Sequence, residues 1–330
     1  MAREAVERFA HLAAEWLRVG YTQSNFNADN CLVGGVTVDY GPFGYIEKYD
    51  PAWAMWIGGG QHFSFANQPK ASGANLKMLL GALEPLLNAA GVKELRGLGT
   101  SYSHASARAL NRMWARKLGL PTSAPLDVAG ELWRSSSTLL AAHPTDWTIF
   151  WRQLTEVAAA ANQTDSVRLS LLEPAFYAPL DKPMRVKWVL WLTAWLVALE
   201  DEYSRPLDAE DGGVDGGMDG ADGADEWDKQ RAARSAARRL AATDESTPLT
   251  YAIDGVAIGD RMRLASPKYI PREWMLVHAY DAAERGEYGP LHELHALLRR
   301  PYDEQPEMVR RYYQRAPAGS DQQGGVGFMS

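Results

Sequence analysis

Only one cysteine, Cys31, occurs in the 330 residues. A lone thiol excludes an intrachain disulfide and a cysteine-built zinc cage. Long apolar runs are scarce too. The longest, residues 188–199 (WVLWLTAWLVAL), is flanked by Arg185 and Lys187 before it and by Glu200, Asp201 and Glu202 after it. As a helix at ~1.5 Å per residue it reaches about 18 Å, short of a ~30 Å hydrocarbon core. It is expected as a buried core helix, not a membrane span. Residues 1–19 lack the apolar stretch of a secretory signal. They set Val6, Phe9, Ala13 and Trp16 near one helical face instead. Positive charge is not in excess: 34 Lys and Arg stand against 41 Asp and Glu, a formal charge of −7. That balance disfavours nucleic acid and anionic membranes as partners. A G-x-S-x-G elbow, a Walker A loop and a G-x-G-x-x-G fingerprint are all missing.

What remains is ordinary globular composition, 46% apolar and 23% charged, with twelve tryptophans to anchor a core. The length suits one or two domains. The acidity is local. Residues 208–228 carry nine acids and no Lys or Arg, and setting them aside leaves 34 cations against 32 anions, or +2. With Gly frequent and Trp227 its one large aromatic, this stretch is expected to be a disordered insert. Its Asp spacing does not make a calcium loop. A basic, Ala-rich helix (QRAARSAARRLAA) should follow it, and the tail from Pro317 should be disordered. Helices are expected at 74–90 (with Pro85 kinking or splitting it), 105–118, 129–142, 146–161, 185–203, 272–285, 290–299 and 306–314, punctuated by prolines. The convincing strand signal is a short hairpin, 31–33 and 36–40, around Gly34-Gly35.

Two motifs need weighing. His292-Glu293-Leu294-His295 imitates a zinc helix, but its histidines are three apart where such helices need four, so a surface or packing role is expected. The informative stretch is 25–69. Asn25, Asn27, Asp29 and Asn30 cluster before the hairpin, and Asp39-Tyr40-Gly41 closes it. Carboxylates with an amide oxygen make a hard-oxygen set of the kind that holds Mg²⁺ beside phosphates. A further Asp can steer an attacking hydroxyl. That layout is the logic of a kinase catalytic loop followed by an Asp-x-Gly, although Asn30 follows Asp29 directly instead of five residues on. Turn capping by Asn and Asp around a Gly-rich hairpin is the alternative that spacing alone leaves open.

The combination W-L-R-V-G-Y, N-A-D-N, V-D-Y-G-P-F-G-Y, Y-D-P and F-A-N-Q-P resembles the selenoprotein O family. So do Asp146-Trp147-Thr148 with Phe150 and Arg152, the PKYIPR of 267–272 and the PYDEQP of 301–306. The likeness runs from about residue 14 to 307, interrupted by the acidic insert. It implies a mainly α (α+β) fold: a protein-kinase-like C-lobe with a short β-hairpin at the metal site and a helical C-terminal extension. It implies transfer of AMP from ATP to Ser, Thr or Tyr hydroxyls of protein substrates, with Mg²⁺ as cofactor. By position, Asp29 matches the catalytic Asp, Asn30 and Asp39 match the Mg²⁺ ligands, and Asp39 also approaches the nucleotide. Localisation under this resemblance is mitochondrial in a eukaryote and cytoplasmic in a bacterium.

The departures bear on function. Gln23-Ser24 stands where the family has His-Gly. Residues 54–57 lack the cysteine often found in the activation segment, and 327–330 lack the C-terminal Cys or selenocysteine, so a disulfide between those positions is not available. The β-rich N-lobe that carries a phosphate-covering loop and its Lys is expected to be missing, with about 20 residues preceding Asn25. The organisation expected is a kinase-like catalytic-loop and helical lobe at 1–205, the acidic insert at 206–229, a C-terminal helical extension at 230–316 and a tail at 317–330. A non-catalytic helical interaction module of the same family is the alternative function, and transfer of phosphate in place of AMP a third.

Overall fold

The computed structural model describes residues 1–38, 40–41, 43–205 and 248–320. The acidic insert, the basic helix expected after it and most of the tail lie outside them. Within the described residues the chain is mainly helical, with one two-stranded sheet.

Helix α1, Ala2–Val19, buries the expected face, including Val6, Phe9, Ala13 and Trp16. It ends on Gly20, left-handed at φ 83°, the conformation that glycine adopts without a Cβ penalty. Strand β1, Tyr21–Gln23, follows and pairs antiparallel with β2, Phe43–Tyr45. Helix α2, Gln68–Leu83, opens with Pro69 in its first turn, where the missing N–H does no harm. Pro85 splits the expected 74–90 helix: a single turn, Glu84–Leu86, separates α2 from α3, Ala89–Leu118. The Asn88 side chain caps α3 by accepting from the Gly91 N–H, so this helix begins well before residue 105 and runs 30 residues.

Helices α4 (Leu126–Ala142), α5 (Trp147–Ala159) and α7 (Lys182–Ser204) lie where periodicity puts them. So do α9 (Glu273–Glu284), α10 (Gly289–Leu298) and α11 (Pro306–Tyr312). Two helices escaped the pattern, α6 (Asp165–Leu172) and α8 (Gly255–Ala265). Both are short, and each is announced mainly by its capping side chain, Thr164 and Asp254.

The tryptophans do form the core. Trp147, Trp151, Trp188 and Trp195 are fully buried. Trp114 stacks on Trp133 with centroids 3.8 Å apart, and Trp147 and Trp151 meet edge to face at 5.6 Å. The 188–199 run lies inside α7 with most of its side chains buried in the same cluster. Among the described residues no helix is long and apolar enough to cross a membrane. Burial also holds the Lys117 ammonium well below its ordinary pKa. It donates to the Arg18 carbonyl at 2.7 Å, satisfying one of the open carbonyls at the end of α1.

Helices α9 to α11 build a smaller satellite core around Tyr269, Met275, Leu294, Leu297 and Tyr312. In the HELH motif both histidines are exposed. Glu293 between them accepts from Arg311 and from the Tyr312 hydroxyl, each at 2.6 Å, and ties α10 to α11. The packing role expected for this motif is therefore the one observed.

Candidate functional site

Among the described residues the expected hairpin does not form. Residues 31–38 contain no strand. The turn at Gly34-Gly35 is present, with the Gly35 N–H donating to the Leu32 carbonyl at 2.9 Å, but its two arms do not pair. The reason lies in α1. Arg8 donates to the Gly34 carbonyl at 3.1 Å, and the Trp16 indole donates to Thr37 Oγ1 at 2.8 Å. The loop lies along α1 and spends its polar groups there. Gly35, at φ +69°, is needed for this, because a Cβ would stand 2.7 Å from Arg8 Cβ and 2.9 Å from the Arg8 carbonyl oxygen. Leu32, Val33, Val36 and Val38 stay exposed, so the stretch presents no buried strand face.

Pairing occurs one step outside. The register Tyr21↔Tyr45, Thr22↔Gly44, Gln23↔Phe43 closes the base of a loop that spans residues 24–42. Aromatic rings pin that base: Tyr21 stacks on Phe43 at 5.7 Å and meets Tyr45 edge-on at 5.5 Å. Sequence reasoning missed this register because each strand has only three residues, too few to show a period.

Asp29 and Asn30 lie on a single helical turn, Ala28–Asn30, closed by the Asn30 N–H donating to the Asn27 carbonyl at 3.0 Å. Asp29 is exposed and Asn30 half-buried. The Asn30 side-chain amide donates to the Asn25 carbonyl at 2.8 Å, which fixes its orientation and leaves Oδ1 as its acceptor atom. Asn27 donates to Asn25 Oδ1 at 2.6 Å, so the asparagines brace one another. Asp39 lies outside the described residues. Among the described residues no group of three or more His, Cys, Asp or Glu is placed to hold a metal. Asn30 Oδ1 and the Asp29 carboxylate are hard oxygen donors of the type Mg²⁺ takes.

The turn hangs from a buried frame. Phe26 is fully buried and packs edge-on against Trp16 at 4.7 Å. The segment after β2 returns to the core: the Trp147 N–H donates to the Glu47 carbonyl and the Tyr49 N–H to the Thr145 carbonyl, both at 2.8 Å. There Asp146 caps α5 by accepting from the Ile149 N–H at 2.9 Å. It also receives two bonds from Arg272, at 2.7 and 2.9 Å, and Arg272 reaches Glu47 at 3.0 Å. Burial would push the Arg272 guanidinium down, but Asp146 and Glu47 outweigh it and carry it above its ordinary range.

The second C-terminal signature closes on the first. Glu304 takes Lys268 at 2.6 Å and also Arg152, whose other bonds go to the Ser266 carbonyl at 3.1 Å and the Tyr302 carbonyl at 3.2 Å. The segments DWTIFWR, PKYIPR and PYDEQP thus meet as one polar junction.

The chain matches the model of the family described as protein adenylyltransferase SelO over residues 1–213. It belongs to the SelO family. A relative called protein nucleotidyltransferase YdiU in Azoarcus sp. strain BH72 is 30% identical over 329 residues, covering 98% of this chain and 51% of the relative. The protein of the same name in Rhodopirellula baltica is 30% identical over 334 residues, covering 100% and 54%, and that of Flavobacterium johnsoniae 28% identical, covering 99% and 53%. The chain therefore spans about half the length of these SelO-family relatives.

Proposed function

We propose that this chain carries the catalytic-loop half of a protein adenylyltransferase, acting on Ser, Thr or Tyr hydroxyls of protein substrates with ATP as donor. The observation that carries it is the Asn27–Asn30 turn: an exposed Asp29 beside an amide oxygen aimed by its own backbone, inside a family match covering residues 1–213. Around the site the fold is a kinase-like helical lobe, with the C-terminal helices as an extension docked on it.

The chemistry is a displacement at phosphorus. The substrate hydroxyl oxygen attacks the α-phosphorus of ATP, and the bond from that phosphorus to the oxygen bridging the β-phosphorus breaks. The hydroxyl proton goes to the Asp29 carboxylate, and pyrophosphate leaves with the bonding electron pair. An exposed carboxylate on a rigid turn suits that task, since a base must reach the proton it takes. Asn30 and Asp39 would hold Mg²⁺, which when bound offsets negative charge developing on the pyrophosphate. This chain's own contribution is to hold Asp29 and Asn30 on one turn at a fixed separation, an entropic advantage gained before substrate arrives.

The test uses ATP labelled on the α-phosphate and the protein as its gene encodes it. Label should enter protein, and Asp29→Ala and Asp39→Ala should each abolish it. Mass spectrometry should find added AMP; added phosphate would point to a kinase instead. Absence of any transfer, together with no shift in melting temperature under Mg²⁺-ATP, would leave a non-catalytic interaction module as the function.

A further inference from the structure

Helix α2 carries polar side chains on the wrong face. Gln68, Ser72 and Asn75 are spaced by four and then three residues, so they share one side of the helix. Their exposures are 0, 0 and 9%, so that side is the buried one. Polar groups at core positions are unfavourable unless each finds a partner, and here each finds main chain. Ser72 Oγ donates to the Phe9 carbonyl in α1 at 2.9 Å. Gln68 behaves like a missing strand: its Oε1 accepts from the Gln23 N–H at 3.2 Å, and its Nε2 donates to the Gln23 carbonyl at 3.3 Å and the Phe63 carbonyl at 2.5 Å. Asn75 Nδ2 donates to the Phe26 carbonyl at 2.8 Å.

The Phe26 carbonyl belongs to the peptide that leads into the four residues 27–30, so one buried amide grips the entry of the turn that bears Asp29 and Asn30. The other end of the turn is held by packing. Cys31 lies against the apolar cluster of α1 to α3 that includes Leu76, the residue after Asn75. The Asn25–Asn30 and Asn25–Asn27 bonds are internal to the loop and would move with it.

We propose that Asn75 is a positioning residue of the site: it clamps the Asn27–Asn30 turn at its entry, through the Phe26 carbonyl, and sets the aim of Asp29 and Asn30 without touching substrate. The proposal rests on the adenylyltransferase reading for its catalytic consequence, but not for its structural one. Gln68 serves the same end further upstream, by fixing the strand from which the turn departs.

The experiment compares Asn75→Leu with Ser72→Ala. Both remove a buried side-chain bond to a carbonyl from the same face of α2, and only the first bond reaches the turn. Hydrogen exchange by mass spectrometry should show amides in 24–38 opening about tenfold faster in Asn75→Leu, the scale expected when a buried carbonyl loses its donor, with α5 and α7 unchanged. Ser72→Ala should leave 24–38 as it is. In the transfer assay Asn75→Leu should lower kcat about tenfold while the KM for ATP stays within about twofold, the pattern of lost alignment rather than lost binding.

Unchanged exchange in 24–38, or faster exchange spread evenly over the whole chain, overturns the proposal. So does faster local exchange with kcat untouched. If the leucine variant does not fold, Asn75→Asp keeps the volume, removes the donor and is read in the same way. If wild-type protein transfers no AMP, the functional reading fails, and the exchange comparison still decides whether Asn75 holds the turn.

Discussion

Two stretches of the same loop-rich segment are secured by opposite chemistry. The turn bearing Asp29 and Asn30 is held by neutral amides, Gln68 and Asn75, and its far side lies along α1 with Leu32, Val33, Val36 and Val38 exposed. Past β2, Glu47 enters a junction of buried charge, where Arg272 and Asp146 are 2% and 0% exposed. Neutral single bonds contribute about 1 kcal/mol each and fail one at a time. A buried ion pair fails as a unit, because removing one partner strands the other in a low dielectric. The site end is thus built to yield locally, and the junction to break only with the fold.

The strongest way to break that contrast is Arg272→Ala. It leaves Asp146 and Glu47 buried without their cation, and the expected loss is about 3–5 kcal/mol of unfolding free energy. Urea denaturation followed by tryptophan fluorescence would read it. A loss below about 1 kcal/mol, no more than an exposed pair gives, would mean the junction is no more cohesive than the turn.

A matched pair of glycines sharpens the comparison at intermediate size. Gly20, at φ +83°, would put a Cβ 2.7 Å from the Trp147 indole, a ring fixed in the core. Gly35, at φ +69°, would put one 2.7 Å from Arg8 Cβ, on the surface of α1. Alanine at either is strained beyond the roughly 1 kcal/mol attached to a wrong backbone region. Gly20→Ala should therefore lower the melting temperature of the whole chain. Gly35→Ala should lift the loop from α1 with little change in melting temperature, seen as faster proteolysis within 31–38. Equal thermal effects would show that the loop and the core are one cooperative unit.

Much of this was legible beforehand, for identifiable reasons. Long amphipathic helices announce themselves by period, so α1, α4, α5 and α7 were found, and the tryptophan core with them. Motif order singled out Asp29 and Asn30, and the structure places the two side by side on one helical turn. The hairpin was misread because two short runs, 31–33 and 36–40, flank a Gly-Gly turn, while the bonds that claim the loop come from Arg8 and Trp16, far back in the sequence. The polar stripe of α2 was invisible for the same reason: Gln68, Ser72 and Asn75 look like a solvent face until Gln23, Phe9 and Phe26 are seen against them. Long-range side-chain bonds to main chain leave no local pattern.

The smallest expected effect separates the two carboxylates that the C-terminal segments grip. Burial raises the Glu47 carboxyl above its ordinary range, more than the facing Arg272 lowers it, with Asp146 and Glu273 adding repulsion. Folding therefore favours its protonated form. What that form contributes is fully present below the unfolded pKa of about 4.3 and is lost as pH rises through the raised value. Glu304 is the reverse: burial would raise it, but Lys268 and Arg152 together hold it low. Its contribution is present above the unfolded pKa and is lost as pH falls through the lowered one. Glu47→Gln should thus match wild type in acid and gain on it toward neutrality, while Arg272 keeps both bonds to Asp146. Glu304→Gln should match wild type in acid and lose ground toward neutrality. Denaturation midpoints from pH 3.5 to 7.5 would show the two difference curves diverging with opposite slopes. Parallel curves would mean that Arg272 and the Lys268–Arg152 pair hold their carboxylates alike, so that the junction is one ionic network and not two.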